Sequence, residues 1–214
     1  MTQDNAIVVV VDDDVSVQRG LSRLIRSAGL ATETFSSAAE FLASGLVAQP
    51  GCLIIDLRMP GMNGLELQRA LVREGHAMPV IFISGDGSIP DTVEAIKAGA
   101  VDFLPKPFHD SQLLAAIFQA LHKDAEIRGR RSEADALRER FGLLTPRETE
   151  VCQLVAAGLL NKQIGFELNM SEKTVKIHRA RVMDKLSVRS VADLVRFVDR
   201  LIPKSHAARG YPDT

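Results

Sequence analysis

Residues 7–14 read IVVVVDDD, a run of β-branched residues that ends in three aspartates. A continuous apolar run of this kind is typical of a strand that is covered on both faces of a parallel sheet. Similar runs recur through the first 120 residues, and amphipathic stretches separate them. The pattern predicts an α/β domain with a doubly wound, five-stranded parallel sheet and its more polar second strand at an edge. The strand candidates are Ile7 to Val11, Ala31 to Phe35, Leu53 to Ile55, Val80 to Ile83 and Val101 to Leu104.

Length and composition favour two domains in a cytoplasmic protein. The chain has 214 residues, 46% of them hydrophobic, which is enough for one medium core and one small core. Its longest apolar runs fall far short of the roughly 20 residues that span a bilayer, so no membrane is expected. The N-terminus lacks the pattern of a signal peptide. Cys52 and Cys152 each lie alone in an apolar run, which indicates buried, reduced thiols.

Charge is unevenly distributed along the chain. Net charge is −6 over residues 1–124, +1 over residues 125–142 and +4 over residues 143–214. Only the last part is therefore expected to meet a polyanion. Half of the residues from 125 to 142 are charged. This composition predicts that residues 123–142 form a solvated, helical linker. Coiled-coil dimerisation is the less favoured alternative, because the weak apolar positions Ile127, Ala134 and Leu137 do not sustain a heptad.

The last segment predicts a small all-α domain of four helices over residues 143–202. Thr145-Pro146-Arg147-Glu148 combines an N-cap, a first-turn proline and a capping-box glutamate. A second helix fits residues 161–168, after which Asn169 suits a left-handed C-cap and Ser171 the next N-cap. Two helices joined by such a short turn form a helix-turn-helix. Residues 203–214 are expected to be a disordered tail.

Polar residues end the predicted strands of the first domain. In an open parallel sheet, ligands bind outside the carboxyl ends of the strands. Carboxylates roughly 5 Å apart repel by about 3 kcal/mol per pair at an effective dielectric near 20, so three gathered acids require a cation. Mg²⁺ is the cation expected, since it prefers carboxylate and carbonyl oxygen. The residues at these ends are Asp12, Asp13, Asp56, Ser84 and Lys106.

Residues 5–122 resemble the flavodoxin-like receiver domain of response regulators. The resemblance lies in Val11 to Asp14, Ile55 to Gly64, Ile83 to Gly85 and Ala98 to Phe108. It implies that Asp56 accepts a phosphoryl group and that Lys106 and Ser84 contact the phosphoryl oxygens, with Phe103 turning inward as the switch. It also implies a cis Lys106-Pro107 peptide and a set of Mg²⁺ ligands formed by Asp13, Asp56 and the backbone carbonyl of Arg58, with Asp12 assisting through water.

Residues 143–200 resemble the LuxR-type helix-turn-helix domain. The matching stretches are Leu144 to Glu148, Gly158 to Ile164 and Ser171 to Arg179, and Gly165 stands where alanine is usual, which is expected to loosen its helix. From Ser171 to Arg189 there are six basic residues against two acidic ones. The resemblance implies base contacts by Lys176, Ile177 and Ala180 in the major groove. Lys173 lies on the same side of the helix, which is free to enter the groove. Lys162, Thr174, Arg179 and Arg181 are expected to face the DNA backbone, and His178 is expected to be structural or to face a phosphate.

With a receiver in front, the whole chain resembles the FixJ/NarL class of response regulators. This implies a transcription factor that is not an enzyme, with a sensor histidine kinase and double-stranded promoter DNA as partners. A homodimer on phosphorylation and contact with RNA polymerase are further expectations. One alternative is a phosphatase of the haloacid-dehalogenase type, which needs an Asp-x-Asp motif that Asp56-Leu57-Arg58 does not supply. Another is a receiver-like module that is never phosphorylated, against which the intact acidic set argues.

Overall fold

The computed structural model describes residues 6–85 and 89–201. Its contacts divide the chain into two compact units, residues 1–129 and 130–214. The tail predicted for residues 203–214 lies outside the described residues, and the side chain of Ile89 is not described.

A five-stranded parallel sheet forms the centre of the first unit. The strand order is β2-β1-β3-β4-β5, which confirms the predicted fold class and the second strand at an edge. Strand order reverses beside β1, because β2 pairs with one of its edges and β3 with the other. The strands are β1 (Ile7–Val11), β2 (Ala31–Phe35), β3 (Gly51–Asp56), β4 (Val80–Ser84) and β5 (Asp102–Pro105).

Helices cover both faces of this sheet. Alternate residues of each central strand enter two separate cores: Val9 and Ile55 belong to one, Val10 and Ile54 to the other. Both faces are apolar for this reason, which explains the continuous hydrophobic runs in the sequence. The helices are α1 (Val15–Ser27), α2 (Ala38–Ala43), α3 (Gly64–Arg73), α4 (Ile89–Lys97) and the first part of α5 (Asp110–Gly142).

A polar contact, here called the α5 clamp, holds α5 to the first unit beyond its apolar part. The buried apolar side chains that α5 contributes to this unit end at Leu121. One turn later, Asp124 is buried, and its Oδ2 accepts the N–H of Gly51 at 2.9 Å and Nε–H of Arg128 at 2.8 Å. Arg128 also donates to the carbonyl oxygens of two residues before β3, Ala48 and Gln49. The clamp therefore extends the attachment of α5 almost to Gly129.

Four helices and the end of α5 form the second unit. The helices are α6 (Pro146–Ala156), α7 (Asn161–Glu167), α8 (Glu172–Lys185) and α9 (Val191–Leu201). The predicted capping box of Thr145 and Glu148 begins α6, and Ser171 caps α8 by accepting the N–H of Thr174. Asn169 has a φ of 53°, which confirms the left-handed turn between α7 and α8.

The end of the charged segment before α6 contributes side chains to this second core. Leu137 is buried among residues of α6 to α9, and Phe141 packs against the same cluster. The guanidinium carbon of Arg140 lies 5.3 Å from the centre of the Phe197 ring. The segment expected to be a solvated linker is helical, as predicted, but it also contributes side chains to the core. Leu137 and Phe141 are four residues apart and therefore lie on the same face of the helix.

Candidate functional site

The carboxyl ends of β1, β3 and β5 bring two aspartates and a lysine into contact. Asp12 follows β1 and Asp56 ends β3, beside the point where strand order reverses. The ammonium of Lys106 lies 2.9 Å from Asp12 Oδ2 and 3.0 Å from Asp56 Oδ1. Asp12 is 1% exposed and Asp56 8% exposed. A buried acidic pair with one cation thus stands where open α/β sheets bind their ligands.

Each of these carboxylates also accepts a backbone hydrogen bond. Asp12 Oδ1 accepts the N–H of Asp14 at 2.8 Å, and Asp56 Oδ2 accepts the N–H of Arg58 at 2.8 Å. Burial by itself would lower the pKa of the Lys106 ammonium, but its hydrogen bonds to Asp12 and Asp56 outweigh burial and raise that pKa. The lysine is therefore held in its charged form at neutral pH, ready to attract an anion that approaches Asp56.

Ser84 and the predicted switch residue Phe103 are both buried, on the neighbouring strands β4 and β5. Ser84 ends β4, and its carbonyl oxygen accepts the N–H of Lys106 at 2.7 Å. The ring of Phe103 stacks on Phe82 with the ring centres 6.3 Å apart. Phe103 therefore already occupies the inward position that we expected it to reach only after phosphorylation. The peptide between Lys106 and Pro107 is cis, as predicted.

Of the other two predicted metal ligands, Asp13 is exposed. The backbone N–H of Arg58, the residue whose carbonyl was expected to bind the metal, donates to Asp56. Among the residues that the structure describes, no three His, Cys, Asp or Glu side chains gather closely enough to hold a metal ion. The expected cluster of three acids is here two acids and a lysine. The need for a cation was inferred from repulsion between carboxylates. Here the ammonium of Lys106 offsets the repulsion between Asp12 and Asp56.

Helix α8 presents a basic, exposed face, here called the recognition face. Val175, Val182 and Leu186 are buried in the core of the second unit. The opposite side of α8 is open to solvent, and Ile177 keeps 46% of its surface exposed there. On α7, Lys162 is exposed as well. The recognition face comprises Lys173, Lys176, Ile177, Ala180 and Arg181.

Three more of the predicted DNA-binding residues are half-buried beside this face. The hydroxyl of Thr174 lies 2.8 Å from that of Ser171, so it takes part in the cap of α8. Nη1 of Arg179 donates to Oδ1 of Asn161 at 3.0 Å. Nδ1 of His178 is buried without a hydrogen-bond partner.

Two residues of the second unit make contacts that the sequence pattern does not indicate. Lys185 belongs to the basic stretch, but its ammonium donates to Glu148 at 2.7 Å and to the carbonyl oxygen of Leu143 at 3.0 Å. It therefore stabilises the fold, and its charge is compensated within the unit. Gly165 was expected to loosen its helix, which stays a prediction. A Cβ placed there would lie 2.7 Å from the carbonyl oxygen of Met170, and glycine avoids this contact with the turn after α7.

Sequence reasoning missed three polar contacts that the structure reveals. The pairs Glu148–Lys185 and Asn161–Arg179 join residues that are distant in the chain, so no local pattern indicates them. Asp124 was counted only as one of the charges of residues 1–124. Its spacing of four from Arg128 on a helix was the available signal, since such residues are neighbours on one face.

Family models match both units. The response regulator receiver domain matches residues 8–118, and the luxR family of bacterial regulatory proteins matches residues 142–198. Nodulation protein W of Bradyrhizobium diazoefficiens is 47% identical over 196 residues, which cover 92% of this chain and 86% of that protein. Transcriptional regulatory protein FixJ of Azorhizobium caulinodans is 43% identical over 190 residues, which cover 88% of this chain and 90% of that protein.

Solved structures show the same architecture. The response regulator StyR is 50% identical to this chain. The two structures superpose with a TM-score of 0.85, and the match covers 92% of this chain and 99% of that one. Full-length FixJ from B. japonicum is 36% identical, with a TM-score of 0.57 over 94% of this chain and 98% of that one. Within residues 6–85 and 89–201, no helix combines the length and apolar character needed to cross a membrane. The chain belongs to the two-component response regulators of the FixJ/NarL class, which join a receiver domain to a luxR-type DNA-binding domain and regulate transcription.

Proposed function

We propose that Asp56 is the residue that receives the phosphoryl group from a sensor histidine kinase. The observation that carries the proposal is the contact of Asp12, Asp56 and Lys106 at the switch point of the sheet. A carboxylate oxygen of Asp56 attacks phosphorus, the bond from phosphorus to the kinase histidine breaks, and the imidazole nitrogen keeps the electron pair. Such a transfer depends mainly on positioning and on the neutralisation of charge at the phosphoryl oxygens.

Lys106 and Ser84 are the side chains that take up this charge. The ammonium of Lys106 already binds Asp56, so a small shift brings it to a phosphoryl oxygen. Ser84 ends the strand beside β3 and supplies a hydroxyl at the same edge.

Mg²⁺ is the metal that fits the donor set. Asp12 and Asp56 offer buried carboxylate oxygens, and Asp13 and the carbonyl of Arg58 lie next to them in the sequence. Hard oxygen donors of this kind suit Mg²⁺ and do not suit soft metals. Bound there, the ion would neutralise charge on the phosphoryl oxygens.

The recognition face is the part of the second unit that we assign to the major groove of double-stranded promoter DNA. Lys176, Ile177 and Ala180 then contact bases. Lys173 lies on the same face. A second set contacts the DNA backbone and contributes affinity without sequence information: Lys162, Thr174, Arg179 and Arg181, with His178 in a structural or phosphate-facing role.

The remaining partners follow from this reading. Phosphorylation would bring two chains together through the surface of the fourth and fifth strand-and-helix units, so that two recognition faces bind neighbouring half-sites. RNA polymerase is a further partner, the cytoplasm is the compartment, and the chain regulates without turning over a substrate.

Labelling with acetyl phosphate tests the phosphoacceptor. We expect the intact chain with Mg²⁺ to gain one phosphoryl group by mass, and Asp56→Ala to gain none. Asp13→Ala is the comparison that separates the nucleophile from a residue that only assists, since it retains Asp56 and should be labelled more slowly. Full labelling of Asp56→Ala would disprove the assignment, and steady release of phosphate over many turnovers would favour a phosphatase.

A further inference from the structure

A side-chain contact joins the two helices of the helix-turn-helix. Oδ1 of Asn161, the first residue of α7, accepts Nη1–H of Arg179, which lies in the second half of α8. Both residues are half-buried, whereas Lys176 and Ala180 beside Arg179 are exposed. The guanidinium of Arg179 is therefore tethered to α7 at the border of the recognition face.

The partner of this arginine is neutral, unlike the partners of two nearby lysines. Lys176 lies 3.1 Å from the carboxylate of Glu172, and Lys185 lies 2.7 Å from that of Glu148. An amide oxygen fixes the direction of a guanidinium without compensating its charge. It occupies one N–H group and leaves the others for a further acceptor. Arg179 thus keeps its positive charge while it loses freedom of movement.

We propose that Asn161 is a positioning residue for DNA binding, which orients Arg179 toward a phosphate before the DNA arrives. The inference rests on the proposed backbone contact of Arg179. A long side chain loses rotamer freedom when it binds, and a side chain that is already fixed loses less. Asn161 therefore strengthens binding without touching DNA, and its effect passes entirely through Arg179.

A double-mutant cycle on the full-length chain tests this role. The probe is random-sequence double-stranded DNA, because a phosphate contact does not depend on sequence, and Kd is measured over a range of salt concentrations. Arg179→Ala should weaken binding and lower the salt dependence by about one phosphate contact. Asn161→Ala should weaken binding about threefold to tenfold and leave the salt dependence unchanged, since the contact still forms from a less ordered arginine.

Two further variants separate positioning from other roles. Asn161→Asp keeps the hydrogen bond but compensates the charge, so both the affinity and the salt dependence should fall. In the Arg179→Ala background, Asn161→Ala should have no additional effect. An equal loss in both backgrounds, or no loss with Arg179 present, would overturn the inference even if a variant is less stable. If Arg179→Ala itself leaves binding unchanged, the proposed phosphate contact fails instead.

Discussion

Replacing Lys185 by methionine removes the cation that faces a buried carboxylate in the second unit. Glu148 is 2% exposed, and its Oε2 accepts Nζ–H of Lys185 at 2.7 Å and the N–H of Thr145 at 2.9 Å. The loss of one partner from a buried ion pair costs about 3 to 5 kcal/mol. Because the Lys185 side chain is 32% exposed, solvent screens the pair. We therefore expect the free energy of unfolding of this unit to fall by about 2 kcal/mol.

Hydrogen exchange at the amides of α6 and α8 in the full-length chain measures this loss, because buried helix amides exchange when the unit opens. Lys173→Met is the matched control. Lys173 lies on the same helix but is exposed, so its replacement should change stability by less than about 0.5 kcal/mol. Equal protection in the two variants would refute the reasoning.

The same pair makes the stability of the unit depend on pH. The hydrogen bond from Lys185, followed by that from the N–H of Thr145, lowers the pKa of Glu148 from 4.5 to about 2. A carboxyl with a lowered pKa contributes its full stabilisation above the ordinary value and loses it as pH falls toward the folded value. The difference in stability between wild type and Lys185→Met should therefore shrink between pH of about 4.5 and 2, as followed by circular dichroism.

Four further outcomes follow from the packing. Gly165→Ala should destabilise the second unit by about 1 to 3 kcal/mol in thermal unfolding, because the new Cβ meets the turn after α7. Gly129→Ala, where a Cβ meets nothing within 4 Å, should instead stabilise by up to about 1 kcal/mol. Arg128→Ala should accelerate hydrogen exchange in the turns of α5 after Leu121, with Arg131→Ala as the exposed control, and unchanged exchange would contradict the α5 clamp. A fragment of residues 130–214 should be more stable than one of residues 143–214, because the shorter fragment lacks Leu137.

The sequence predicts the first fold well because its signals are local and repeated. Ile7 to Val11 and the other central strands are apolar on both faces, and only a covered parallel sheet hides both faces at once. The carboxyl ends of β1, β3 and β5 lie at one edge of such a sheet, so topology brings Asp12, Asp56 and Lys106 to the same edge. The turn at Asn169 likewise follows from residue chemistry.

What the sequence does not reveal depends on distances through space. The compensation of Lys185 by Glu148 joins residues 37 positions apart, so a count of charges along α8 overstates the charge free to meet DNA. The need for glycine at position 165 depends on how closely the backbone of Met170 approaches. The presence of Lys106 between two aspartates depends on side-chain conformation, which a strand pattern does not specify.

Helix α5 limits how receivers and DNA-binding units of this class can be recombined. It supplies Leu121 and Asp124 to one core and Leu137 to another, so the boundary between the units falls inside a helix and not in a loop. A chimera joined at residue 143 would separate the bundle from part of its own core, and one joined before Asp124 would discard the clamp. Exchange that keeps both cores intact is therefore confined to the residues between Arg128 and Leu137.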